Sequence, residues 1–138
     1  MSDENIEIAQ RALQAATRTP KPDFAVVNAL YDPEHVLVDR LYNALEGERA
    51  WEGARGYREH NEMRREAWAD FLLRIRSARA IDEERVLLIV AMRGHGSETG
   101  APFEVERGFL VTVRDRRVLR TEVYASPAEA LRAAGVSQ

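Results

Sequence analysis

Cysteine is absent from the 138 residues, and with it go disulfides, thiolate nucleophiles and thiol-rich metal sites. Histidine is scarce: His35, His60 and His95 are the only three, and no two stand at a short metal-ligand spacing. Neither a metal nor a cofactor is expected. No stretch approaches the roughly 20 apolar residues that span a bilayer, so no membrane partner is expected. The opening Met1-Ser2-Asp3-Glu4 is acidic where a secretory leader is basic and then apolar, and a cytoplasmic protein is the expectation. Surplus positive charge is also missing. The 20 Lys and Arg are outnumbered by 23 Asp and Glu, the net charge is −3, and the two signs interleave, which argues against nucleic acid as the main partner. Gly94-His95-Gly96 is followed by neither a helix start nor a lysine, so it reads as a hairpin and not a phosphate loop. No serine sits in a nucleophile elbow.

What is present is an ordinary globular balance, 45% hydrophobic and 31% charged, sized for a single domain over 1–138. The first half reads as helix. Ser2 or Asp3 caps a segment to about Thr17, with Ile8, Ala9, Ala12, Leu13 and Ala16 at helical spacing. Asp23 caps a second short helix through Tyr31 that offers Phe24, Val27, Ala29, Leu30 and Tyr31 to a core. Asp32-Pro33 ends it. His35 to Leu41 suits a first strand, and a polar loop spans Asn43 to Arg49. Ala54 to about Phe71 is expected as the long helix, its solvent face carrying Arg58, Glu59, Glu62, Arg65, Glu66 and Asp70. The period then changes to strands: Leu73 to Arg76, Arg85 to His95, Phe103 to Arg114 and Val118 to Ala125, joined by hairpins. Ser126-Pro127-Ala128-Glu129 is a capping box opening a terminal helix that stops at Gly135.

The polar residues on apolar faces are the informative ones. Tyr57, His60, Asn61, Arg64, Trp68 and Phe71 fall on one stripe of the long helix at 100° per residue, yet three of them are polar. Burying an imidazole, an amide and a guanidinium is costly without partners or water. Either the helix lines a wet pocket, with His60 as general base or ligand anchor, or these groups satisfy backbone and Arg64 reaches solvent. Asp39, on the first strand, is the first choice for an acid/base; the alternative is an ion pair with Arg40, Arg64 or Arg107, or simple exposure at the strand end. Pairing with Arg64 or Arg107 is the expectation. Arg107 shares a strand face with Val105, Phe109, Val111 and Val113; it clamps an anionic or carbonyl-bearing ligand, neutralises a buried acid, or emerges at the sheet edge. Glu104 and Glu106 share the opposite face. Trp51, Trp68 and Tyr124 are core or pocket wall, Tyr124 with a hydroxyl to donate. Apolar residues on both faces of the third and second long strands predict a homodimer on the sheet.

Four local patterns carry a resemblance: Leu30-Tyr31-Asp32-Pro33-Glu34-His35-Val36; Trp51-Glu52-Gly53 through Tyr57-Arg58-Glu59; Arg93-Gly94-His95-Gly96-Ser97 with its hairpin; and Val118 through Tyr124 followed by Ala128-Glu129-Ala130-Leu131. In this order the chain resembles the nuclear transport factor two-like superfamily, within it the SnoaL-like branch. The resemblance implies an α+β fold: a cone-shaped, curved antiparallel sheet wrapped around N-terminal helices, with a pocket at the wide end. It also implies dimers through the outer sheet face. The superfamily contains ketosteroid isomerases, polyketide cyclases, epoxide hydrolases, dehydratases and non-catalytic binding modules, so fold alone does not choose a reaction. The ketosteroid isomerase set of an Asp base with a Tyr–Asp oxyanion hole is not matched residue by residue. Relatives often carry an acid after the tyrosine of the Tyr124-Ala125-Ser126 stretch, where this chain has Ser126. The expected function is binding of a small, mostly apolar organic molecule, with cofactor-free acid/base chemistry of isomerase, cyclase or hydratase type through Asp39 and His60. Tyr57, Asn61, Arg64, Trp68, Arg107 and Tyr124 are its ligand-binding candidates. The alternative is a non-catalytic binding or structural module of the same fold.

Overall fold

The structure, a computed structural model, describes residues 2–18, 21–40 and 50–136, with the side chains of 2, 54, 57, 64–69 and 71 outside that set. The expected polar loop of 43–49 lies outside it, as does Leu41. Helix α1 (Ser2–Ala16) opens with Asp3 and Glu4 against the positive end of its dipole. It buries the stripe Ile8, Ala9, Ala12, Leu13 and Ala16. Asp23 caps α2 (Phe24–Leu30) by accepting the Val26 N–H at 3.4 Å, while its own N–H donates to the Ala15 carbonyl and ties the turn to α1. Of the residues expected to face a core from α2, Val27 is buried; Phe24 is 46% exposed and Ala29 is exposed. Seven residues give a helix one apolar contact line and little more.

Six strands follow: β1 (Tyr31–Asp39), β2 (Ala50–Glu52), β3 (Trp68–Ala80), β4 (Arg85–Gly96), β5 (Pro102–Arg114) and β6 (Arg117–Tyr124). Helix α3 (Gly53–Ala67) separates β2 from β3, and α4 (Pro127–Ala134) closes the fold. The strands form one curved, unclosed sheet in the order β2-β1-β6-β5-β4-β3. All neighbours are antiparallel except β1 and β6, which run parallel. This is the α+β cone expected, with one parallel pair inside it. The β5–β6 turn holds Asp115 and Arg116 at φ 52° and 63°, the doubly left-handed geometry that suits a two-residue hairpin.

Two boundaries move. The first strand starts at Tyr31, four residues before the expected His35, and Pro33 sits where the β1–β6 register shifts between Tyr31 and Val36. A proline without an N–H is tolerated in such an unpaired stretch. The long helix ends at Ala67, so Trp68 and Phe71 belong to β3 and not to the helical stripe. Trp68 opposes Gly96 and Ala69 opposes His95, so pairing with the end of β4 overrides a helical period these aromatics also satisfied. Asp70 takes φ 42° inside the register shift between Ala69 and Leu72, a left-handed conformation that aspartate tolerates.

The sheet's inner face carries Val86, Leu88, Val90 and Met92 of β4, Phe109, Val111 and Val113 of β5, Val118 and Val123 of β6, and Leu37 of β1, packed on α1. The outer face is covered in part by α4. Ser126 Oγ accepts the Glu129 N–H at 3.2 Å, Pro127 stands at the first helical position, and Gly135 ends the helix at φ 78°, as the capping pattern predicts. A Cβ on Gly108 would lie 2.4 Å from the Ala130 Cβ, so the glycine lets the helix lie against β5. Leu87 and Leu110, outward-facing by register, are 2% and 4% exposed. Leu87 and Leu110, two of the apolar outer-face residues that suggested a second subunit, are thus covered within the chain, while Ile89 and Ala91 stay partly exposed and Leu72 is exposed. Beyond α4 the outer face also carries charge: Arg74, Arg76, Arg93, Glu104 and Glu106 are exposed, with Arg76 Nη1 3.3 Å from Glu106 Oε2. No helix among the described residues is long and apolar enough to cross a membrane.

Candidate functional site

Strand alternation puts His35, Leu37 and Asp39 on the inner face of β1. Beside them, Trp51 of β2 opposes Leu37 and is 3% exposed. The chain then turns directly from strand into helix at Gly53 (φ 63°), so α3 lies back over β1 and β2. Two turns into α3, His60 Nε2 meets Asp39 Oδ2 at 2.9 Å. Its ring stands edge-on to the Trp51 indole, centroids 5.3 Å apart and planes at 77°. The imidazole and carboxylate side chains are only 9% and 15% exposed. An ionised carboxylate has only lone pairs to offer, so Nε2 donates and Nδ1 becomes the lone-pair nitrogen of the neutral ring.

Asp39 and His60, singled out separately for their polarity on apolar faces, are therefore partners. Of the arginines expected near Asp39, two are engaged elsewhere, and the side chain of Arg64 lies outside the described set. Arg40 turns outward to Glu122 (3.6 Å), and Arg107 Nη1 donates to the Ala125 carbonyl at 2.8 Å. Arg107 does lie on the inner face, one inner-face position along from Phe109 in the Asp39–Val123–Phe109 row. Asn61 is buried beside His60, at 6% exposure. Tyr57 and Arg64 lie on α3 at three residues before and four after His60, but their side chains and that of Trp68 lie outside the described set.

Tyr124 falls elsewhere. It faces outward with Glu122, to whose Oε2 its hydroxyl donates at 3.1 Å. Burial first, then the Glu122 carboxylate, holds the phenol above its ordinary range, which keeps it a donor. Arg120 also binds Glu122, at 3.0 Å, so this is an outer-face polar cluster separate from the His60–Asp39 pair. His95 and Arg93 are exposed on the outer face too, with His95 Nδ1 2.9 Å from Asp70 Oδ2. Among the described residues no three His, Cys, Asp or Glu side chains could hold a metal ion.

One buried histidine escaped the sequence reading. His35 is 2% exposed, its Nε2 lies 2.9 Å from Thr121 Oγ1, and the Tyr31 ring meets it edge-on at 4.8 Å. Nδ1 has no hydrogen-bond partner among the described residues. Burial pulls its pKa from 6.5 to about 4, partly countered by the Asp32 charge. Its place two residues before Leu37 and four before Asp39 was the available signal.

The SnoaL-like domain profile matches residues 9–121, and the chain belongs to that family. No curated protein matches it. Among solved structures it is similar to a protein with a ketosteroid isomerase-like fold from Catenulispora acidiphila in complex with trimethylamine, at 18% identity and TM-score 0.71, over 95% of this chain and 94% of that one. It is also similar to a candidate SnoaL-like polyketide cyclase from Jannaschia sp. CCS1, at 13% identity and TM-score 0.75, over 99% and 95%. A third is AclR, a candidate hydroxylase from Streptomyces galilaeus, at 16% identity and TM-score 0.67, over 100% and 89%. At these identities the likeness concerns the fold.

Proposed function

We propose that this SnoaL-like domain binds a small, mostly apolar organic molecule between α3 and the inner sheet face, at the wide end of the cone, and moves a proton on it through His60. The observation that carries the reading is the 2.9 Å contact between His60 Nε2 and Asp39 Oδ2 on a face built mainly from apolar side chains. A buried polar pair of this kind is a poor device for stability, since desolvation offsets much of its attraction. It is a good device for proton transfer. Asp39 holds the imidazole with Nε2 protonated and balances the charge when Nδ1 takes up a proton.

The chemistry follows from that arrangement. Nδ1 removes a proton from a carbon next to a carbonyl and returns it to a second atom of that molecule, or removes one from water as the water oxygen bonds to a carbon of the ligand's double bond and delivers it to the other carbon of that bond. Isomerisation, ring closure and hydration all reduce to this transfer and need no cofactor. Arg107, on the same face, supplies donors and positive charge to the carbonyl oxygen as negative charge builds there. Tyr57, Asn61, Arg64 and Trp68 complete the wall in this reading; outward-facing Tyr124 has no part in it. Family membership and the cyclase and hydroxylase candidates among similar structures support a small-molecule role. We also place the protein in the cytoplasm, where a cysteine-free chain needs no oxidising compartment, and expect it to form a homodimer.

The test is a thermal-shift screen of small ketones and aromatic carbonyl compounds, then solvent deuterium exchange into each binder followed by proton NMR. His60→Gln and Asp39→Asn are each expected to keep binding and to slow exchange by about 10²–10⁴-fold. Exchange at the parental rate in His60→Gln defeats the proposal.

A further inference from the structure

Helix α3 packs closely against β2 at the buried Gly56. A Cβ built on Gly56 would lie 2.6 Å from the Trp51 carbonyl carbon, 3.0 Å from its Cα and 3.3 Å from its Cβ. The first two are main-chain atoms of a strand held in register against β1, with Leu37 opposite Trp51, so no rotamer change moves them away. Alanine is a better residue than glycine inside a helix. A glycine at a buried position in the first turns of α3 therefore costs helix stability, and close approach is what it permits in return.

Gly56 and His60 are four residues apart, on one face of α3 and roughly 6 Å apart along its axis. The same residue, Trp51, receives both: its main chain meets Gly56 and its indole edge meets the His60 ring. We infer that Gly56 is the positioning residue of the pair, setting through its contact with Trp51 the depth at which His60 reaches Asp39. A methyl group there must lift the helix by about 1 Å to restore an ordinary carbon–carbon separation. One turn farther on, most of that displacement arrives at His60. The 2.9 Å contact would then open past hydrogen-bonding distance. The inference concerns the geometry of the pair, and rests on the functional reading only for its consequence in proton transfer.

The experiment is Gly56→Ala in the full chain, read by imidazole NMR. In the parent, the buried His60 Nε2–H is expected as a slowly exchanging resonance. In Gly56→Ala its exchange is expected to quicken by roughly tenfold or more, as for a contact that opens locally. The His35 ring signals, from the same strand as Asp39, should stay in place and report an intact fold. Arg55→Ala, an exposed neighbour on α3, should leave His60 unchanged. A folded Gly56→Ala that keeps the parental His60 resonance overturns the inference. Should Gly56→Ala fail to fold, native-state hydrogen exchange of the parent decides. The His60 Nε2–H and the α3 amides after Gly56 must then share one opening with one denaturant dependence; exchange at His60 while those amides stay protected overturns the inference. A parent with an intact pair and no deuterium exchange into any ligand would defeat the proposed function and leave this inference standing.

Discussion

Acid should weaken this fold earlier than its carboxylates alone would dictate, because of His35. The side chain is 2% exposed, and burial holds its pKa at about 4 against 6.5 for an accessible histidine. As pH falls below about 6.5 the unfolded chain takes up a proton that the folded chain refuses. Stability therefore rises with pH throughout the window from about 4 to 6.5; the contribution is complete above it and gone below it. A gap of about 2.5 pH units at about 1.36 kcal/mol each amounts to about 3 kcal/mol, a large share of the 5–15 kcal/mol typical of a domain. Asp82 and Glu84, held below their ordinary values by hydrogen bonds from Arg85 and Arg114, act at lower pH, below 3.8 and 4.5. The interval from pH 5 to 6.5 thus lies above both carboxylates and within the window of His35. Unfolding free energies from urea titrations should fall as pH is lowered across that interval, with a slope that grows from about 0.7 kcal/mol per pH unit at pH 6.5 to about 1.2 at pH 5. In His35→Gln, which keeps a hydrogen-bonding group for Thr121, His35's share of that slope should vanish. Parallel curves for parent and variant would refute the reasoning, as would a His35 ring titrating near 6.5 by NMR.

Other outcomes follow from the packing. Gly108→Val should cost about 1–3 kcal/mol as an overpacked contact, because its first added carbon falls 2.4 Å from Ala130; increased dye binding by uncovered Leu87 and Leu110 would accompany it, and a parental melting curve would contradict it. A double-mutant cycle of Asp39→Asn and His60→Gln should return a coupling of about 0.5–3 kcal/mol in urea unfolding, whereas additive losses would mean that the two side chains do not interact in solution. Sedimentation at micromolar concentration should show twice the 15.7 kDa chain mass, and Leu72→Glu, at a 45% exposed outer-face leucine, should shift it toward monomer; a single 15.7 kDa species in the parent would end the dimer proposal.

Much of the architecture is legible one segment at a time. The buried stripe of α1, the caps at Asp23 and Ser126, the αL stop at Gly135 and the alternation of β4 and β5 are decided within a turn or a few strand residues, where the chain's own spacing is sufficient. Asp39 and His60 also stand out locally, each a polar group on an apolar face. What only the tertiary structure decided is which groups meet. Trp68 and Phe71 satisfy a helical and a strand period equally, and pairing with the end of β4 makes them strand. Tyr124 shares β6 with Val123, yet a one-residue step sends it to the opposite face, away from the ligand wall assigned to it. Asp39 was within reach of several cations by sequence; the strand order, with α3 laid across β1 and β2, brought it to His60. Periodicity and capping depend on neighbours along the chain, whereas the choice of partner depends on sheet register and on the close approach of α3 to Trp51, contacts between segments that no local spacing encodes.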